Sequence, residues 1–166
     1  MKLIGVTAAV LVLIQAGSSG WVTFRTDGVR IRHPADWYAT TRPLTPVTSP
    51  ETILSVASVA SADPRWNGCR PAGTLAAKQP SGAVIFVIEY GEVKSRGFTL
   101  RAFPPRPVRF KLRSFAHYEC HGRSYQIRFR ESGRYFQVFA SFGRRATLST
   151  RATVLRILNT FNAKPR

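Results

Sequence analysis

Acidic residues are scarce in this 166-residue chain: 8 Asp and Glu stand against 25 Lys and Arg, a formal net charge of +17. The few carboxylates are scattered and form no obvious pair of the kind that glycoside hydrolysis uses. Histidine is also scarce, at three, and no Gly-x-Ser-x-Gly elbow is present for one of them to serve as a base. Neither Gly-x-Gly-x-x-Gly nor the Lys-ended phosphate loop occurs. The two cysteines lie far apart, which excludes a Cys-x-x-Cys metal knuckle and a thioredoxin-type redox motif. These absences leave no recognisable catalytic motif and no cofactor-binding motif. The chain reads as a non-enzyme with no cofactor.

What is present is enough for a core. With 44 % hydrophobic and 20 % charged residues, the composition is that of a folded protein, and the length suits one domain. Lys2 precedes an apolar run at 3–14, and Ala16 and Ser18 follow it. Twelve apolar residues fall short of the ~20 of a spanning helix but match a secretory signal behind a basic start. Residues 1–18 therefore read as a signal peptide, or an uncleaved anchor, ahead of a single domain at 21–166. The chain is expected to be secreted or extracytoplasmic, with retention at the cell envelope as a variant. In that setting Cys69 and Cys120 are expected to form one disulfide. Such a bridge closes a loop of about 50 residues, which chain entropy values at about 4 kcal/mol.

Periodicity predicts an α+β fold. Residues 21–25 and 29–33 alternate on either side of Asp27-Gly28, a strong hairpin signal, and Pro34 ends the second run. Residues 53–61 suit a strand with a small-residue face. Between 62 and 82 the chain is irregular, with room for one short helix at 74–78. The run at 83–90 is almost wholly apolar and β-branched, so it is expected at the middle of the sheet. Residues 103–107 are proline-rich and extended. Strands are expected at 108–113, 115–120, 125–131 and 134–142, with Ser132-Gly133 as a turn. Val154, Ile157, Leu158 and Phe161 then follow helical spacing, with Ser149 or Thr150 placed to cap. The prediction is an antiparallel sheet of about six strands with an N-terminal hairpin and a C-terminal amphipathic helix packed on it.

The stretch Val29-Arg30-Ile31-Arg32-His33-Pro34-Ala35-Asp36-Trp37, the strand at 134–142 and the ending Arg156-Ile157-Leu158-Asn159-Thr160-Phe161 carry a resemblance. In this order of elements the chain resembles the PsbP-like domains, an α-β-α sandwich family named for the extrinsic lumenal protein of photosystem II. The resemblance implies an exported or organelle-lumen protein that binds or scaffolds others rather than catalyses. No functional residue of the photosynthetic members has a counterpart here, so none is carried over. The cysteine pair and the strongly basic composition depart from the family's general pattern.

Two constellations could carry chemistry. On a strand at 115–120 and just beyond, His117, Glu119 and His121 would share one face, which suits Zn or non-haem Fe and would make a metal-dependent enzyme. Same-face neighbours on a strand lie about 7 Å apart, however, so three ligands on one ion would require a bulge. The basic stripes are the stronger lead: Arg109, Lys111 and Arg113 on one strand, Arg128 and Arg130 on another, Arg30 and Arg32 on a third. Together they predict an Arg-rich face for an anionic cell-envelope polymer, a membrane surface or an acidic protein. Phe110, Tyr125, Phe129, Tyr135 and Phe136 are interleaved with the cations, the pattern of a nucleic-acid platform, which would require a cytosolic chain. Strict alternation instead places aromatics on the opposite, core-facing side.

The export reading has a direct check. N-terminal sequencing of the chain recovered outside the cytoplasm is expected to start at Ser19, and a cytosolic chain with Met1 intact would overturn it.

Overall fold

Asp27 and Gly28 adopt φ of 48° and 72°, the left-handed pair that a two-residue hairpin turn requires. The turn joins β1 (Trp21–Thr26) to β2 (Val29–Pro34) as the expected hairpin, and the antiparallel register sets Trp21 opposite Pro34 and Thr26 opposite Val29. The computed structural model describes residues 20–41, 50–58, 79–91, 102–118 and 123–166. The signal segment, the helix at 74–78, Cys69, Cys120, Glu119 and His121 lie outside the described residues.

Six further strands form the main sheet. They are β3 (Tyr38–Thr40), β4 (Glu51–Ala57), β5 (Ala83–Tyr90), β6 (Ala116–Tyr118), β7 (Arg123–Glu131) and β8 (Arg134–Phe142). Their spatial order is β3-β4-β5-β8-β7-β6, with every neighbouring pair antiparallel. As its apolar run predicts, β5 is central, and Ala83 through Val87 are all buried. It pairs with β8 along its whole length, from Ala83 opposite Phe142 to Tyr90 opposite Tyr135. Ser132 and Gly133, at φ of 52° and 75°, make the expected turn between β7 and β8.

The sheet has two apolar faces because strand side chains alternate. On one face Ile85, Val87, Phe129, Phe136 and Val138 join Val29 and Ile31 of β2 in the main core. On the other, Val84, Phe86, Phe139 and Ala57 form a smaller cluster, in which Phe86 stacks on Phe139 at 4.5 Å. Helix α1 (Leu148–Asn159) adds Val154, Ile157 and Leu158 to the main core, and Phe161 follows one residue past its C-cap. The architecture is α+β with mostly antiparallel sheets and one C-terminal helix among the described residues. None of its described helices is long and apolar enough to cross a membrane.

Several expectations need correction. The segment at 108–113 is not a strand. Val108 is 99 % exposed whereas Phe110 is 1 % exposed, and the chain passes into a single 3-10 turn at Leu112–Ser114. Pro104, Pro105 and Pro107 deprive the approach of donors, and the Phe110 amide donates to Asn159 Oδ1 at 2.7 Å rather than to a neighbouring strand. The helix is capped by Thr147, whose hydroxyl accepts from the Thr150 amide at 3.1 Å. Ser149 and Thr150 lie inside the first turn instead. A third strand, β9 (Asn162–Ala163), pairs with the outer side of β2, so the hairpin belongs to a separate three-stranded sheet, β1-β2-β9.

At the end of β5 an ionic knot joins the two sheets. Glu89 and Arg134 face the main core from adjacent strands and are only 7 % and 4 % exposed. Arg134 Nε donates to Glu89 Oε1 at 2.8 Å and Nη2 to Oε2 at 2.6 Å, a two-pronged pair. The remaining prong, Nη1, donates to the Asp27 carbonyl of the hairpin turn at 2.8 Å and to the Lys164 carbonyl at 3.3 Å. Arg166 bridges Glu89 and Asp27 from outside, at 3.1 and 3.0 Å. Hydrogen bonding to Glu89 holds the Arg134 pKa above its ordinary value.

Removing one member of a buried ion pair strands the other's charge, whereas removing both does not. Arg134→Met is therefore expected to lower the unfolding free energy by about 3–5 kcal/mol. The Glu89→Leu/Arg134→Met double variant should recover a large part of that loss in urea denaturation. A double variant at least as destabilised as the single would contradict this account.

Candidate anion-binding groove

The three cations at 109–113 remain neighbours although their segment is no strand. Phe110 anchors them: its ring is buried against Phe129 at 5.4 Å, and its amide is held by Asn159. Arg106 supports the same turn, with its guanidinium 5.2 Å from the Phe110 centroid and Nη2 donating to the Asn159 carbonyl at 3.2 Å. Anchoring alternate residues leaves Arg109, Lys111 and Arg113 exposed.

They meet the helix. Arg109, Lys111 and Arg113 line a groove of about 660 Å³ with Arg156 on the outward side of α1. Phe110, Leu112 and Leu155 provide an apolar floor. The side chains of Arg109, Lys111 and Arg113 make no ion pair or hydrogen bond to a described residue. Arg156 packs over Trp21, 4.3 Å from the ring, which holds its stem in place, and it pairs with no carboxylate among the described residues. Four cations over an apolar floor can hold an anionic group that carries an apolar portion. The sequence contained a signal for Arg156 and Asn159 that the reading missed: Ala152, Leu155, Arg156 and Asn159 share the helix side opposite Val154 and Ile157.

The other expected site residues do not join this groove. Arg128 is exposed, donates from Nε to Gln137 Oε1 at 3.3 Å and lines a separate depression of about 520 Å³ beside Pro104, Pro105 and Pro107. Arg130 is exposed, and its backbone bonds the proline segment: its amide donates to the Pro104 carbonyl at 2.7 Å and its carbonyl accepts from Arg106 at 2.8 Å. Of these five cations, Arg109, Lys111 and Arg113 thus line one groove together with Arg156, and Arg128 and Arg130 lie outside it. Of the metal-type cluster only His117 is described. It is exposed, with its ring 4.8 Å from that of Tyr125. The aromatics expected as a stacking platform are largely core: Phe110, Phe129 and Phe136 are at most 1 % exposed, so a base could not reach their faces.

Compared with family models, with curated proteins and with solved structures, the chain matches none of them.

Glu131 sits beneath the groove's support. Its Oε2 accepts from the Ala163 amide at 3.0 Å, and its Oε1 lies 3.7 Å from Arg106 Nε. Burial raises its pKa above the ordinary value of 4.5, and the Ala163 amide and Arg106 offset this only in part. A carboxyl that holds its proton more tightly when folded stabilises the fold while protonated. That contribution is complete below the ordinary value and is lost as the pH rises through the folded one. Glu131→Gln keeps an acceptor for Ala163 and removes the titration. Across this window the parent is expected to lose stability relative to Glu131→Gln, as read by urea midpoints from about pH 4 to about pH 7. A parent that instead gains on the variant would refute the assignment.

Proposed function

We propose that this chain is an exported, non-catalytic binding or accessory protein whose cationic groove holds an anionic partner. The observation that carries the reading is the convergence of Arg109, Lys111, Arg113 and Arg156 on one apolar-floored groove. Three of those cations spend none of their charge on described carboxylates, which is how a surface reserved for an external anion is built. The cationic start and apolar run at 3–14 support export, and export favours a cell-envelope polymer, membrane surface or acidic protein over nucleic acid. The order hairpin, central strand, meander and terminal helix is consistent with a PsbP-like domain, and with the binding role that this resemblance implies.

Retention on a sulfated polymer column tests the reading. Attraction between exposed charges is screened within about 10 Å at 0.1 M salt, so elution should be strongly salt-dependent. Neutralising Arg109, Lys111 and Arg113 to Gln is expected to weaken binding about tenfold or more. Neutralising Arg130, Arg144 and Arg145, the same change in charge elsewhere, should cost far less. Salt-insensitive retention, or equal losses in the two variants, would overturn the groove as the site.

A further inference from the structure

We propose a second, separate anion site on the outer face of the small sheet, built by Arg25, Arg30 and Lys164 for a single phosphate group. The starting point is a ladder position that breaks a local rule. Arg25 of β1 lies directly opposite Arg30 of β2. A two-residue turn makes Thr26 and Val29 the hydrogen-bonded pair, so Arg25 and Arg30 form the next, non-hydrogen-bonded pair, with Cα atoms about 4.5 Å apart. Their side chains leave the same face at the closest spacing that a sheet offers, and like charges so placed destabilise the pairing.

A third cation adds to the repulsion. Asn162 of β9 lies beside Arg30 on the other side of β2, and Lys164, two residues further on, shares its outward direction. Lys164 is fixed there by its own backbone, whose amide donates to the Gly28 carbonyl at 2.9 Å. Arg25, Arg30, Asn162 and Lys164 line one pocket of about 420 Å³. No carboxylate among the described residues pairs with any of the three cations. Asp27 also lines the pocket, but its Oδ2 accepts from Arg166 at 3.0 Å, so its charge already has a partner.

Sites where local rules fail without compensation inside the molecule are where function is to be sought. Two guanidinium forks, an ammonium and a side-chain amide present only donors to the pocket once Asn162 turns its NH2 inward. A doubly charged oxyanion with several acceptor oxygens satisfies them all, and arginine forks match a phosphate geometrically. A lone carboxylate has too few oxygens and too little charge. The pocket is smaller than the groove on α1 and shares no lining residue with it, and it does not depend on that groove's function.

The experiment exploits the trade between repulsion and binding. Thermal unfolding of the full chain is followed in inorganic phosphate and in chloride at matched ionic strength. Phosphate at about ten times its dissociation constant is expected to raise the parent's midpoint by about 3 °C or more. Arg30→Gln should lose that increment and, relieved of the cross-strand repulsion, unfold at a higher temperature than the parent in chloride. Arg144→Gln removes the same charge from a surface outside both sites and should keep the increment. Vesicles of phosphatidylglycerol separate a free phosphate from a lipid headgroup. Midpoint increments in phosphate that vesicles fail to reproduce assign a soluble ligand, and vesicle binding lost only in Arg30→Gln assigns a headgroup. Neither effect in the parent, or an Arg30→Gln variant that keeps either one, overturns the site. Loss in both variants alike also overturns it, because that reports net charge alone.

Discussion

The Glu89–Arg134 pair is the constraint on which the arrangement of the two sheets depends. Each of these side chains would be prohibitively costly to bury alone, so neither can take up its place until the other has done so. Once paired, Arg134 still has a donor to satisfy. It is answered by carbonyls at Asp27 and Lys164, which belong to the small sheet. The hairpin turn and the segment after β9 are thereby set against the end of β5 and β8 by donor geometry as well as by apolar packing. Ser132 and Glu131 extend the same logic, since both bond the backbone of Ala163 and so fix β9 to the β7–β8 turn.

Charge is segregated as a result. Three of the described carboxylates, Asp27, Glu89 and Glu131, are engaged around this junction with Arg134, Arg166 and Arg106. Glu89 and Glu131 act here as internal fasteners rather than as a solvating surface. Most of the described cations are left on the outside with no ion pair to a described carboxylate, which is why a molecule with a net charge of +17 presents discrete basic depressions. Codon supply can explain a high arginine count, 20 of the 25 cations, but cannot explain where the fold puts them.

The legible parts of the sequence were those in which one local signal is decisive. Asp27-Gly28 and Ser132-Gly133 each demand positive φ, and both turns are where the dipeptides place them. The run at 83–90 could only be buried on both sides, and the 154–161 spacing could only be helical. The stripe at 108–113 alternates like a strand, but alternation carries no information on where the backbone donors go. Three prolines just upstream, and an amide answered by Asn159, decide that segment against a strand. The strand at 134–142 is legible, but no local pattern announces that Arg134 has a partner 45 residues away. The groove was half legible for the same reason: Arg109, Lys111 and Arg113 are close in sequence, but Arg156 reaches them only through the packing of α1. The two-residue β9 is too short to have any periodicity at all.

That short strand affects how the chain is made. The small sheet takes its first two strands from one part of the chain and its third from residues 162–163, so the ribosome must supply everything between before the sheet can close. Closure over so long a separation is slow compared with local turns and helices. Until β9 exists, Val29 and Ile31 lack their full cover, and the third prong of Arg134 lacks one of its carbonyls. The small sheet and its junction with the main sheet therefore stay open until residues 162–163 emerge, long after the strands of the main sheet have been made.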